Sequence, residues 1–459
     1  MPHMRTHHYF RVSRRHPAGL CPRSLRFVLP RRRLPLRAAL VPLLIGLASA
    51  ALAGCGLHPG GQQIALLRAG QLIALNPDGS NPRTLASGGI VSFAWSPDHQ
   101  RLVYREATGS AGDLAPTTTV GALEAAGGLV VTSINGGRGV RITPDASDLA
   151  WSDAWWNVQG NRLLYRQEFA DVEADAAAPV YVLSQDDQPA GIARKPLYGA
   201  AGLPAVAPDG SQVAYIDASG TLRVGPPGQT GRQIATGALL TLPTTGRAGR
   251  VLWQPGQNRL LYVTSDGANT AIVLRDLQGG GARTIATVPA LLDMAFAPDG
   301  TAVLLRTPEG FELWQAGPHP GRSFAFAERD AAALAWWSPD GRHLLVRDGA
   351  GIRLVDTGSG AVRTLLAYNT GESGTAIPAH ARWQPAVGSP WSPDGTRIAF
   401  VGMAGATWQG KPLPAPHGAT YGLYVADLSG GPPTLIDSGD DRAPGWSTLD
   451  PATALLAAS

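Results

Sequence analysis

Lysine is nearly missing from this chain, cysteine is scarce and charge of either sign is thin. Of 38 basic residues only Lys195 and Lys411 are lysines, and charged residues make up 16% of the sequence. We read the arginine excess as genome composition, not function. Cys21 and Cys55 are the two cysteines, too few for a disulfide framework or a cysteine-built metal site. Past residue 54 no basic run occurs, which argues against nucleic acid as a partner. The histidines there (His58, His99, His319, His343, His380 and His417) show no metal-ligand spacing. No Gly-x-Ser-x-Gly and no phosphate-binding loop at a strand–helix junction is present. No cofactor is expected.

Long hydrophobic runs are missing too, with one exception. Arg31, Arg32, Arg33 and Arg37 precede an apolar stretch over 38–53 that ends in Leu52-Ala53-Gly54-Cys55. Sixteen residues fall short of the roughly 20 that a membrane-spanning helix needs. A basic region, a short apolar core and small residues instead make a secretory signal over 1–54. Signals rarely run beyond about 30 residues, so translation is expected to begin near Val28, leaving 1–27 untranslated. The charge count agrees with removal of this segment. Residues 1–54 hold ten arginines and no acid, whereas the remainder carries 28 basic against 34 acidic residues, about −6.

What the chain has in plenty is glycine (57) and proline (38), within a sequence that is still 44% hydrophobic. That combination points to many short strands punctuated by tight turns. One motif recurs: a short apolar strand ending in an aromatic residue, a Ser-Pro-Asp-Gly turn, then a second apolar strand. Trp336-Trp337-Ser338-Pro339-Asp340-Gly341 is the fullest copy. Aligned on it are Trp95, Trp151, Val206, Trp253, Phe296, Trp337, Trp391 and Trp446, at steps of 41 to 56 residues. A superperiod near 40 residues with four short strands per unit predicts an all-β propeller of four-stranded blades. The strands are named A (ending in the repeat aromatic), B, C and D. Residues 63–459 are read as one propeller, opening with a B strand and ending with an A-like strand at Ala443–Ser447. Pairing of these terminal strands would close it. The count favours eight blades; 453–458 read as a surplus B strand, which leaves seven open. The repeat tryptophans are assigned to blade packing and the turn aspartates to turn formation.

Two resemblances follow from these residues. Leu-Ala-Gly-Cys resembles the lipobox of bacterial lipoproteins, which implies cleavage before Cys55, a lipid on its sulfur, and a short tether over 55–62. Trp-Ser-Pro-Asp-Gly followed by a basic residue and an apolar strand resembles the repeat of TolB-type β-propellers, relatives of the WD-repeat family. It implies the same fold and an extracytoplasmic, envelope location. The extra N-terminal α/β domain of TolB finds no room between Cys55 and the first strand, so its partnership with another lipoprotein is not carried over. The hydrolase domain that follows similar propellers in certain peptidases is likewise missing.

A–B and C–D turns share one end of the propeller and are tight. B–C and D–A connections share the other end, where insertions fall at 106–128, 168–178, 236–249, 368–386 and 403–420. Binding sits on long connections over a rigid scaffold, and aromatic or arginine side chains there make interface anchors. The candidates are Tyr368, His380, Arg382, Trp383, Trp408 and His417. Trp155 and Trp156 break the second turn and stand as a secondary contact on the opposite end. Asp437, Asp440 and Asp441 form a weak calcium candidate. Asp171, Glu173 and Asp175 make an acidic loop, while Glu106, Glu124, Glu168 and Glu372 could supply a carboxylate pair. The expected function is a membrane-anchored, non-enzymatic scaffold for a protein, peptide or glycan. The alternatives are a hydrolase or lyase acting on envelope or extracellular glycans, and a structural subunit of an envelope complex. A direct check is Cys55→Ser: fatty-acid labelling should vanish and the protein should move from the membrane to the soluble fraction.

Overall fold

The chain divides into Met1–Pro59 and Gly60–Ser459. The computed structural model describes residues within 63–446. Segments 107–127, 144–148, 152–153, 158–159, 170–179, 186–194, 198–199, 240–241, 243–249, 328–332, 369–388, 417–420 and 439–441, with a few single positions, lie outside that description. All described elements are strands, arranged in eight antiparallel sheets. The fold is an all-β propeller.

The fifth and sixth blades show the plain pattern. In the fifth, Asp293–Phe296, Ala302–Thr307, Gly310–Gln315 and Arg322–Ala327 pair in sequence order; in the sixth, Leu334–Trp337, His343–Arg347, Gly351–Asp356 and Val362–Ala367 do the same. Every residue of the A strand Asp293–Phe296 is buried, while the D strand Val362–Ala367 exposes its first half. D is therefore the outer edge. A composite sheet pairs Ile64–Arg68, Gln71–Leu75 and Arg83–Ser87 with the C-terminal strand Arg442–Trp446, Ile64 lying opposite Trp446.

A lone four-stranded sheet leaves both faces apolar and wet, so each blade needs two neighbours. One apolar cluster spans each neighbouring pair. Between blades six and seven, for example, Trp336, Leu345 and Leu366 meet Trp391, Phe400 and Tyr424. Within these wedges three of the packing tryptophans do a second job, whereas the buried Nε1 of Trp337 has no partner among the described residues. The indole N–H of Trp253 donates to the Ala205 carbonyl at 3.0 Å, and that of Trp391 to the Trp336 carbonyl at 3.3 Å. In each case the acceptor is the residue just before the aligned position of the preceding blade.

The same rule corrects the alignment of the second blade. There the donor is Trp156, whose Nε1 reaches the Ala94 carbonyl at 3.3 Å, and Trp156 is buried. It pairs with Leu163 as Trp95 pairs with Leu102. Trp151 pairs with Gln167, further along the B strand. The turn that follows Trp156 is closed by Gly160 N–H donating to the Asn157 carbonyl at 2.8 Å, and the Asn157 side chain accepts the Arg162 N–H at 2.8 Å. Asn157 thus stands where the first, sixth and seventh blades have serine. Trp156 is the packing tryptophan of its blade, not a surface contact, and the Arg101 guanidinium lies 5.2 Å from its ring centre.

The Ser-Pro-Asp-Gly turns are wired internally and to each other. Ser96, Ser338 and Ser392 each donate to the turn aspartate (Asp98, Asp340, Asp394) at 2.5–2.6 Å while accepting the backbone N–H five residues on. Burial opposes ionisation of Asp98 and Asp340, yet these hydrogen bonds outweigh it and hold both carboxyls below the usual range. The turn glycine meets the preceding blade's turn. A Cβ on Gly300 (φ 71°) would lie 2.7 Å from the Pro255 carbonyl oxygen, and one on Gly160 would lie 3.1 Å from Pro97. In the first blade His99 takes the glycine position with φ 58°, a left-handed conformation that costs a non-glycine residue roughly 1–2 kcal/mol. We expect His99→Gly to raise the unfolding free energy by about 1 kcal/mol, and Trp156→Ala to lower it by about 3–5 kcal/mol, both read by chemical denaturation.

Candidate functional site

The site considered is the looped end, where B strands finish and C strands begin. In blades three and six this connection is short and built on an aspartate. Asp217 accepts the N–H groups of Ser219 and Thr221 at 3.0 Å and the Arg223 Nε at 2.5 Å. Burial works against its charge, but these bonds dominate and the carboxyl falls to about 2. Asp348 accepts the N–H groups of Ala350 and Gly351 at 2.7 and 2.9 Å and pairs with Arg353. Both carboxylates are thereby committed to their own turns.

Beneath the connections lies a set of charged side chains that the sequence reading passed over. Arg105, Arg306 and Arg347 stand at or one residue before the end of the B strands of blades one, five and six, and all three are buried. They occupy one register position, three residues beyond the partner of the repeat aromatic. The Arg306 guanidinium stacks over Phe311 at 4.5 Å, and Arg347 bonds Tyr368. A fourth arginine, Arg250 at the start of the fourth A strand, forms a buried ion pair with Asp293 of the fifth at 2.5 Å. Asp293 also accepts its neighbour's N–H at 2.8 Å. The signal was present in Leu-Val-Tyr-Arg105, Leu-Leu-Tyr-Arg166 and Leu-Leu-Val-Arg347, each an apolar run followed by arginine at the same register.

The anchor candidates fare differently. Tyr368 is buried, its hydroxyl donating to the Val401 carbonyl at 3.4 Å, and burial raises its pKa. Trp408 is 3% exposed and stacks on Phe400 with ring centres 5.1 Å apart. Neither is a surface anchor; both belong to the core between blades six and seven. The reason is a strap. The 403–414 stretch of the seventh blade turns back as a hairpin, Thr407–Trp408 with Lys411–Pro412, and Thr407–Trp408 pairs with the D strand of the sixth blade. The stretch is fastened further by Leu413, which is buried, and by the Tyr424 hydroxyl donating to the Pro414 carbonyl at 2.6 Å. Lys411 and Pro412 are exposed, a combination that blunts a sheet edge. His380, Arg382, Trp383 and His417 lie outside the described residues.

The carboxylate candidates are partly accounted for. Asp437 pairs with Arg68, and Glu106 pairs with Arg141 at 2.5 Å. The carboxylate of Glu106 adds to burial in pushing Tyr104 up to about 12. Asp440, Asp441, Glu124, Glu372, Asp171, Glu173 and Asp175 lie outside the described residues, as does the side chain of Glu168. Among the described residues no group of three or more His, Cys, Asp or Glu could hold a metal ion, and no helix is long and apolar enough to cross a membrane.

Comparison with protein families gives one match, to the lipoprotein LpqB beta-propeller domain over residues 182–411, half of the chain. The chain belongs to this LpqB lipoprotein propeller family. No curated protein matches the sequence. Among solved structures, a eukaryotic initiation factor is similar at 11% identity with a TM-score of 0.51, over 85% of this chain and 99% of that one. TolB from Acinetobacter baumannii is 14% identical over 76% of this chain and 67% of its own, with a TM-score of 0.35. An oligogalacturonate lyase in complex with manganese is 14% identical over 61% and 79%, with a TM-score of 0.42. The initiation-factor likeness bears on the fold; none of them bears on activity.

Within the family fold, the Arg250–Asp293 pair makes a sharp test of how the looped end is locked. Removing one partner of a buried pair typically costs 3–5 kcal/mol because the other charge is stranded, whereas apolar replacement of both is near neutral. Arg250→Met and Asp293→Leu should each lower the melting temperature strongly, and the double substitution should recover most of the loss.

Proposed function

We propose that the protein is an extracytoplasmic lipoprotein, anchored through an acylated Cys55, whose propeller binds a protein, peptide or glycan with its looped end and does no chemistry of its own. The observation that carries this reading is the contrast between the two ends of the strands. At the turn end, serine, aspartate, proline and glycine of each described motif are used up by their own turn or by the next blade. At the looped end, the longest connections of the chain, 107–127 and 369–388, rise from strands already locked by buried side chains. Long connections on a rigid base are the usual carriers of recognition. Membership of a lipoprotein family supports the envelope location.

The test replaces 107–127 or 369–388 with Gly-Ser linkers of equal length and compares crosslinked partners and glycan binding with the wild type. Partners should be lost with an unchanged melting temperature, and Asp299→Asn at the turn end should leave them intact. Loss with Asp299→Asn alone would overturn the assignment of ends. Glycan turnover abolished by Glu372→Gln would make the protein an enzyme and overturn the scaffold reading.

A further inference from the structure

Strand direction fixes where a lipid on Cys55 can take hold. Ile64–Arg68 is a B strand. Its first residue lies opposite Trp446, the last residue of the paired A-like strand, and A strands end at the turn end. The preceding Gln63 accepts a hydrogen bond from Arg83 at 3.2 Å, and Arg83 opens the D strand just after the C–D turn around Gly79. Gln63 therefore sits at the turn end, beside its own blade's C–D turn. The strand then runs away to the B–C turn at Gly70, which is at the looped end.

We infer that the lipid on Cys55 holds the propeller by its turn end, so that the looped end points away from the membrane. This rests on the acylation of Cys55 proposed above. Eight peptide steps separate Cys55 from Gln63, and eight steps span roughly 26–29 Å at full extension whatever path they take. A lipid lying beyond the looped end would demand more. The outward route must cross the C and D strands, about 10 Å, and then follow the blade for about 17 Å. It must still clear the side chains of the outer edge and the looped connections themselves. The inward route would thread the chain past the A strands through the middle of the propeller, and chains in folded domains do not thread in this way. The turn end, by contrast, lies within reach at any extension.

The turn end carries charge of both signs. Hydrogen bonds from Ser80, Ser211, Ser359 and Ser429 hold Asp78, Asp209, Asp356 and Asp427 below the usual carboxylate range. These groups stay charged at neutral pH, and the arginines that follow the turns, Arg101 on Asp98 and the exposed Arg342 beside Asp340, set positive charge among them. The orientation is set by the short tether.

Two exposed residues on neighbouring blades serve as reporters. Gln278 lies in the C–D turn of the fourth blade, at the turn end, and Glu309 in the B–C turn of the fifth, at the looped end. Gln278→Cys and Glu309→Cys would be labelled separately in the full lipidated protein, in vesicles of phosphatidylethanolamine and phosphatidylglycerol carrying a headgroup acceptor dye. Energy transfer should be clearly stronger from position 278 than from 309. Equal transfer, or stronger transfer from 309, overturns the orientation. Inserting about thirty Gly/Ser residues after Gly61 should remove the difference, because a coil of that length no longer restricts the blade. A difference that survives the insertion would mean that direct contact with lipid sets the orientation, and the inference fails. Mass spectrometry of the N-terminal peptide separates the two levels. An unmodified Cys55 strikes down the anchoring itself, while an acylated Cys55 with reversed transfer strikes down the orientation alone.

Discussion

The fold depends on the apolar wedges between blades, most of them filled by tryptophan. A buried indole brings a large apolar body and one N–H that must find an acceptor. An A strand is the edge of its sheet, so half of its carbonyls have no partner within that sheet. Trp156, Trp253 and Trp391 join the two needs, each pointing its N–H at an edge carbonyl of the blade before. The bond is short in energy, about 0.5–1.5 kcal/mol net, but leaving either group dry and unpaired costs more. It ties one blade to the next at these three interfaces. The apolar clusters supply the bulk of the stabilisation, and at three interfaces the indole N–H adds a fixed point.

The turn motif follows from the same constraint. Proline and glycine suit a tight turn in isolation, but here they also suit each other across the wedge, with the glycine of one blade set against the proline or carbonyl of the preceding turn. Gln254 and Arg101 add side-chain bonds to the carbonyls of Gly300 and Gly160 at 2.7 and 2.8 Å. A turn that serves two blades cannot drift far in sequence. That is why the motif is so visible along the chain, and why it says little about function.

The fold was legible because its signals are local: the turn, the strand after it and their superperiod. The second blade shows how local matching goes astray. Trp151-Ser152 imitates the Trp-Ser of other copies, yet the glycine and arginine that define the turn stand four and six residues after Trp156, as they stand after Trp391 at Gly395 and Arg397. The candidate site was less legible, for physical reasons. Trp408 lies among alanine, threonine, glutamine and glycine, which reads as an exposed loop, and its burial comes from pairing with a strand about forty residues earlier. Tyr368 likewise owes its burial to the neighbouring blade. Contacts between blades leave no periodicity in the segment that makes them.

The buried arginines explain how the looped end can vary while the wedge below it stays fixed. At the turn end the interface is closed by the turns themselves, so their length and residues are constrained. At the looped end it is closed from within the strands: Arg250 reaches Asp293 across blades four and five, and Arg347 meets Tyr368, whose hydroxyl reaches the seventh blade. Arg306 packs on Phe311 of its own blade without using the connection above it. A side chain that does this work relieves the loop of it. Connections at that end can then lengthen by twenty residues at a modest entropic cost, since closure grows only logarithmically with length. Loop length and composition there are left to whatever the loop touches, and the strap at Thr407–Trp408 is the case in which an insertion is spent on the fold instead.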